Sequence, residues 1–196
     1  AVMDAGLIWI GPRPETIEAM GDKQRARDLA QKAGVPVAQG SDRLLPGALD
    51  GLEEMAEAVG YPLLVKAAAG GGGIGMRRVD GPDKLRKTVE STQSTAERSF
   101  GDGSVYLERF IPKARHIEIQ VFGFGDGRAV HLFERDCSLQ RRFQKIIEES
   151  PAPEFPREAV AGMAESARAL AASQDYTGAG TVEFVADAET GEYFFL

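Results

Sequence analysis

The run YPLLVKAAAGGGGIGMRRVDG, residues 61–81, constrains this chain more than any other stretch. Five glycines occupy the six positions from Gly70 to Gly75. Glycine loses more conformational entropy on ordering than any other residue, so a dense run of it between ordered elements needs a purpose. The flanks read as strands, Leu63 to Lys66 and Met76 to Val79. Gly70, Gly72 and Gly75 match G-x-G-x-x-G, but a dinucleotide fingerprint must open a helix after its strand. Only four residues separate Gly75 from the turn signal Asp80-Gly81-Pro82, which leaves no room for one. A Walker A loop places its lysine after the glycines, whereas Lys66 precedes them. What remains is strand, glycine flap, strand. Its bare amides can approach phosphate oxygens with no Cβ in the way. Lys66 supplies charge at the root of the flap, and Arg77 and Arg78 lie just beyond it. The plainer alternative is a mobile surface hairpin with no ligand.

The chain has 196 residues, enough for one large or two small units. Its 43% hydrophobic and 27% charged content is ordinary for a globular protein. A net charge of −7 argues against a dedicated nucleic-acid binder, though not against a local basic pocket. Cys137 is the one cysteine, so no disulfide can close within the chain, and a reducing compartment fits best. No apolar run approaches the ~20 residues of a membrane-spanning helix. The segment Leu7 to Ile10 reads as a buried strand stopped by Gly11-Pro12, and Leu196 closes another apolar run. Both patterns read as parts of a longer polypeptide.

Along the chain, Pro14 to Ala33 reads as helical, with Gly21 able to split it and Gly34 and Pro36 ending it. Leu52 to Val59 is a short amphipathic helix stopped by Gly60. Asp83 is expected to cap a helix from Lys84 towards Arg98. Ser104 to Ile111 reads as a strand. Residues 115–135 read as a hairpin turning at Asp126-Gly127, residues 156–173 as a helix and residues 180–196 as a second hairpin. Mixed strands and helices with prominent antiparallel hairpins predict an α/β (α+β) fold.

Three stretches carry candidate chemistry. In RHIEIQV, His116, Glu118 and Gln120 share one strand face, which taken alone more simply meets water. Residues 134–153, ERDCSLQRRFQKIIEESPAP, crowd Arg135, Gln140, Arg141, Arg142 and Lys145 together. That cluster would suit an anionic ligand, with Lys145 able to carry a catalytic charge and a solvated charged loop as the alternative. Cys137 has no evident base beside it and reads as structural. In GTVEFV, Glu183 interrupts an apolar strand, a costly placement unless it is paired or bound to a cation. Mg²⁺ in nucleotide sites takes one or two carboxylates plus phosphate oxygens. If the hairpin turns near Glu189 and Thr190, the position facing Glu183 is at or just beyond Leu196.

Taken in order, MGDKQRARDLAQKAGVP, VKAAAGGGGIGM, LERFIPKARHIEIQVFG, the 134–153 block and GTVEFV resemble biotin carboxylase, an ATP-grasp enzyme found in the acetyl-, propionyl- and methylcrotonyl-CoA carboxylases and in pyruvate and urea carboxylases. The resemblance covers essentially the whole chain, and the 134–153 block is its most specific part. It implies an ATP-grasp fold in three parts: the end of an N-terminal α/β domain and a helical linker over residues 1–38, a lid over 39–110, and the first part of the central domain over 111–196. It further implies that Lys23 and Lys66 hold ATP phosphates under a lid loop made of Gly70, Gly71, Gly72, Gly73 and Gly75. Glu108 would meet adenine, with the backbone of Arg109 and Ile111 nearby, and His116 and Gln140 would lie near the ribose. Lys145 would neutralise the γ-phosphate and bicarbonate, and Glu183 would be one ligand of Mg²⁺ (or Mn²⁺). Phe143 departs from the pattern, since a polar residue is expected there.

The implied reaction activates bicarbonate with ATP as carboxyphosphate and carboxylates biotin on a partner carrier domain, with a carboxyltransferase downstream. The further expectations are a homodimer when complete, no nucleic-acid or membrane partner, and a cytoplasmic (or, in a eukaryote, mitochondrial-matrix) setting. The 196 residues alone are expected to be inactive. Rival readings are another ATP-grasp ligase, of the carbamoyl-phosphate synthetase or purine-pathway carboxylase kind, or a non-catalytic ATP-binding module.

Overall fold

The computed structural model describes residues 1–69 and 73–196. Helices α1 (Pro14–Gly21) and α2 (Lys23–Lys32) open the ordered part. They divide at Asp22, whose extended backbone ends α1 and whose carboxylate accepts the Arg25 amide to cap α2. Helix α3 (Leu52–Val59) ends at Gly60, which takes a left-handed φ of 86°. Strands β1 (Leu63–Ala67) and β2 (Met76–Val79) then flank the glycine run, as the sequence implies. Helix α4 (Leu85–Phe100) follows, and β3 (Val105–Arg109) completes an antiparallel sheet in the order β2-β1-β3. Leu63, Val65 and Leu107 are fully buried in its core together with Leu52, Leu85 and Val89.

The larger sheet is antiparallel, in the order β6-β5-β4-β7-β8. Its strands are β4 (Ala114–Phe124), β5 (Ala129–Arg141), β6 (Gln144–Glu149), β7 (Thr177–Asp187) and β8 (Tyr193–Phe195). Helix α5 (Arg157–Ser173) covers one face. Alternation sends Ile117, Ile119, Val182 and Phe184 into the core beneath α5 and leaves Glu118 and Glu183 on the opposite face. The segment 35–44 joins the two sheets. Val37 bridges Phe195 at the edge of the larger sheet, and Gly40 and Leu44 bridge Glu108 and Val105 at the edge of the smaller one. A Cβ on Gly40 would fall 2.7 Å from the Leu107 carbonyl oxygen, so only glycine permits that approach.

Three expectations and one alternative reading need correction. Leu7 to Ile10 takes no strand pairing among the described residues, and Ile8 and Ile10 are 91% and 89% exposed. Apolar character alone makes no strand without a neighbouring edge to bond. Asp83 does not cap a helix. It lies inside a 3₁₀ turn, Pro82–Lys84, and α4 begins after Lys84 with no side-chain cap. The strand expected over 104–111 is confined to Val105–Arg109. Residues 134–149 are not a solvated loop but the paired arms of β5 and β6. Among the described residues no helix is long and apolar enough to cross a membrane.

The β5–β6 hairpin turns on two residues, Arg142 and Phe143, with φ of 51° and 66°. Turns with two left-handed central residues normally use Asn-Gly, because a Cβ there costs roughly 1–2 kcal/mol. Phe143→Asn is therefore expected to stabilise the hairpin by about 1 kcal/mol. A urea midpoint that rises checks this, and one that stays put or falls contradicts it.

Candidate functional site

A cavity of about 550 Å³ lies between the two sheets. Lys23 from α2, Lys66 from β1, Tyr106 and Glu108 from β3, and Gly73 and Gly75 from the glycine run form one side. His116, Gln140, Phe143 and Glu183 of the larger sheet form the other. The Val37 and Gly40 bridges fix this juxtaposition, since each ties the linker to a different sheet.

On the first wall, the Lys23 ammonium donates to the Ala67 carbonyl at 3.2 Å. Burial, followed by the charge of Lys66, pulls its pKa below the usual lysine range. Lys66 donates to Glu108 Oε1 at 2.8 Å, and Arg27 donates to Glu108 Oε2 at 2.7 Å. Burial opposes the charge on Lys66, but Glu108 outweighs it and the pKa rises. Both Glu108 oxygens thus face cations. The Arg109 amide donates to the Gln39 carbonyl, its side chain turns out to Glu192 at 3.6 Å, and Ile111 is buried; neither Arg109 nor Ile111 lines the cavity. Any side chain on Gly73 would collide with Phe143, because an added Cβ lies 2.2 Å from the ring. Gly70, Gly71 and Gly72 fall outside the described residues.

The second wall is built on cross-strand register. Glu118 of β4 sits directly opposite Glu183 of β7 and opposite Arg135 of β5. Two carboxylates so placed repel unless a cation intervenes. Lys145, returned by the β5–β6 hairpin, supplies it, donating to Glu118 Oε2 and to Glu183 Oε1 at 2.8 Å. Arg135 donates to the other Glu118 oxygen at 2.5 Å. Glu118 is therefore not a water-facing residue. It is 3% exposed, and although burial opposes ionisation, Lys145 and Arg135 hold its pKa down. Burial likewise opposes the charge on Lys145, yet its two carboxylate partners raise its pKa. Gln140 Nε2 donates to His116 Nδ1 at 2.7 Å and to the Cys137 carbonyl at 2.8 Å. The opposite ring nitrogen of His116 then stands 3.4 Å from Glu183 Oε2.

The His116 ring, opposed by burial and reinforced by Lys145, holds the Glu183 carboxyl down to about 2. A group depressed from 4.5 stabilises the fold fully above its unfolded pKa and loses that contribution as pH falls through about 2. Glu183→Gln is thus expected to lower the thermal midpoint near pH 7, with the gap to the parent closing between pH 4.5 and 2. A gap independent of pH contradicts this.

Glu183 presents a partly exposed hard oxygen donor on the cavity wall, which fits Mg²⁺ sharing phosphate oxygens. Leu196, one residue past β8, faces it across the β7–β8 pairing and offers no ligand. Glu118, Cys137 and Glu148 also lie within mutual ligand reach. That group does not fit a hard cation. Both Glu118 oxygens are occupied, and burial pushes the fully buried Cys137 thiol up to about 12.

Sequence reasoning brought Lys23, Lys66, Gly73, Gly75, Glu108, His116, Gln140, Lys145 and Glu183 to this region and missed Arg27, Tyr106 and the pairing of Glu118. Glu118 gave no signal of the kind Glu183 did, because it sits in a regular polar alternation with His116 and Gln120 that reads as a solvent face.

Residues 22–196 match the family described as carbamoyl-phosphate synthase L chain, ATP-binding domain. A putative urea carboxylase of Emericella nidulans is 45% identical over 197 residues, covering all of this chain and 16% of that protein. Biotin carboxylase from Campylobacter jejuni, solved as a β,γ-ATP complex, aligns with a TM-score of 0.90 and 42% identity over 99% of this chain and 43% of that one. The biotin carboxylase domain dimer of Hydrogenobacter thermophilus 2-oxoglutarate carboxylase, solved with MgADP, ADP and bicarbonate, aligns at 0.89 and 39% identity over 99% of this chain and 42% of that one. The chain thus spans less than half the length of each. With this match, and with the mixed α/β ATP-grasp architecture of the biotin carboxylases, the chain belongs to the carbamoyl-phosphate synthase L chain ATP-binding family, on its biotin carboxylase side.

Proposed function

We propose that the chain forms the ATP-binding portion of a biotin carboxylase, which uses ATP and bicarbonate to make carboxyphosphate and transfers the carboxyl group to biotin on a carrier domain. The observation that carries this reading is the convergence of Lys23 and Lys66 on one wall with His116, Gln140 and Glu183 on the other, Glu183 being held by the Lys145 ammonium. Phosphoryl transfer asks a protein for positioning and charge neutralisation more than for covalent chemistry, and this cavity offers both.

In this reading Lys23 and Lys66 hold the ATP phosphates, and Gly73 and Gly75 belong to the loop that lies over them. Glu108 borders adenine, its carboxylate held by two cations rather than turned to the base, with the backbone of Arg109 and Ile111 nearby but outside the cavity lining. His116 and Gln140 border the ribose. Lys145 neutralises the γ-phosphate and orients bicarbonate, its position fixed by Glu118 and Glu183. Glu183 would hold Mg²⁺, which would supply charge neutralisation at the phosphates. Exclusion of water protects the carboxyphosphate until biotin arrives. The linker, lid and central parts over 1–38, 39–110 and 111–196 are proposed on the same footing. So are a homodimer, a partner carrier and a carboxyltransferase.

The acceptor beyond biotin is an acyl-CoA in the first reading. The similarity to a putative urea carboxylase favours urea as a second. The test follows labelled bicarbonate into biotin, using the full-length protein that carries these residues. ATP-dependent label in biotin is expected, and label that enters a small nucleophile such as ammonia without biotin would move the reading to another ATP-grasp ligase.

A further inference from the structure

Among the described residues Arg27 is the one cavity-lining Lys or Arg with no role in the reading above. It follows Lys23 by four residues on α2, so the two share a helix face. Its guanidinium makes a fork: Nη1 donates to Glu108 Oε2 at 2.7 Å, and Nη2 donates to the Ala38 carbonyl at 2.6 Å. The side chains of Arg27 and Lys66 are each 13% exposed, and that of Glu108 is 8% exposed. The Tyr106 ring lies beside both cations, its centroid 5.7 Å from Arg27 Cζ and 5.8 Å from Lys66 Nζ. Gly40 leaves room for the fork, since a Cβ there would sit 3.1 Å from Nη2.

Two cations share one carboxylate in this nearly dry corner. Without Arg27, Glu108 would face Lys66 alone, as a closed ion pair. Drawing Lys66 away to a phosphate would then strand a buried carboxylate, which is strongly unfavourable. With Arg27 in place, Glu108 keeps a partner when Lys66 leaves, and the corner carries an excess positive charge that suits an anion. We propose that Arg27 is a positioning residue for nucleotide binding. It anchors Glu108 and compensates its charge, so that Lys66 is free to turn to phosphate. This rests on the nucleotide-site reading given above.

The test measures ADP affinity calorimetrically on the full-length protein, alongside thermal midpoints. Arg27→Met is expected to weaken ADP binding tenfold or more. Arg27→Lys, which keeps the charge and loses the fork, should recover most of that loss. In a Glu108→Gln background no carboxylate remains to capture Lys66, so Arg27→Met should change affinity less than twofold. A purely structural arginine predicts the same loss in both backgrounds, tracking the thermal midpoint, and that result overturns the proposal. Parent-like affinity in Arg27→Met does so as well. Should Arg27→Met fail to fold, the charge-removing Arg27→Gln compared with and without Glu108→Gln gives the same decision. A parent that binds no ADP overturns the nucleotide reading and this inference together, whereas a parent that binds and variants that do not differ overturn only the inference.

Discussion

Lys145→Ala is expected to lower bicarbonate-dependent ATP turnover by the full-length protein about 10²–10³-fold, the usual loss when one preorganised charge-stabilising donor is removed. The ammonium is preorganised because two carboxylates on adjacent strands hold it, and its position does not wait on a ligand. Its loss also removes the cation shared by Glu118 and Glu183, leaving Arg135 to compensate Glu118 alone, so ATP binding should change too, but by less than kcat. Lys145→Arg restores a charge without the compact geometry and is expected to recover only part of the rate. Steady-state kinetics of the three proteins check this. Turnover of Lys145→Ala within tenfold of the parent would leave Lys145 as a structural counter-ion to the two carboxylates.

Phe184→Ala is expected to destabilise the larger sheet by about 3–5 kcal/mol. Phe184 is fully buried one residue beyond Glu183, and so on the other face of β7. It packs edge-on against Tyr193 of β8, with ring centroids 5.6 Å apart. The substitution removes the largest fully buried side chain of the core beneath α5. It also loosens the β7–β8 pairing that sets Leu196 opposite Glu183. Urea unfolding followed by far-UV circular dichroism measures the loss. A change under 1 kcal/mol would show that the core collapses around the gap and that Phe184 does not hold the wall in place.

The chain's periodicity made most of the fold legible. Alternation announced β4 and β7, the glycine run sat between two strands, and counting from the 189–190 turn put the position facing Glu183 at or just beyond Leu196, where the structure has Leu196 itself. Local signals failed where the outcome depended on partners. Leu7 to Ile10 has the composition of a strand but no edge to bond among the described residues. Asp83 has a capping side chain, yet the Pro82 turn tightens into 3₁₀ geometry and moves the helix start past it.

The site divides along the same line. Residue types that announce themselves one at a time, such as Lys66 before glycines or Glu183 on an apolar strand, could be read from the sequence. Pairings could not. Lys145 reaches Glu118 across 27 positions because a two-residue hairpin returns β6 beside β5, and Arg27 reaches Glu108 across 81 because the linker ties α2 to β3. No periodicity within one element encodes either contact.

The central claim is that this cavity serves ATP-driven activation of bicarbonate for biotin. Phosphate release from Mg-ATP by the full-length protein, with bicarbonate and biotin each added or withheld, tests it most directly. Release that requires bicarbonate and rises with biotin is the predicted result. Release indifferent to both would contradict it.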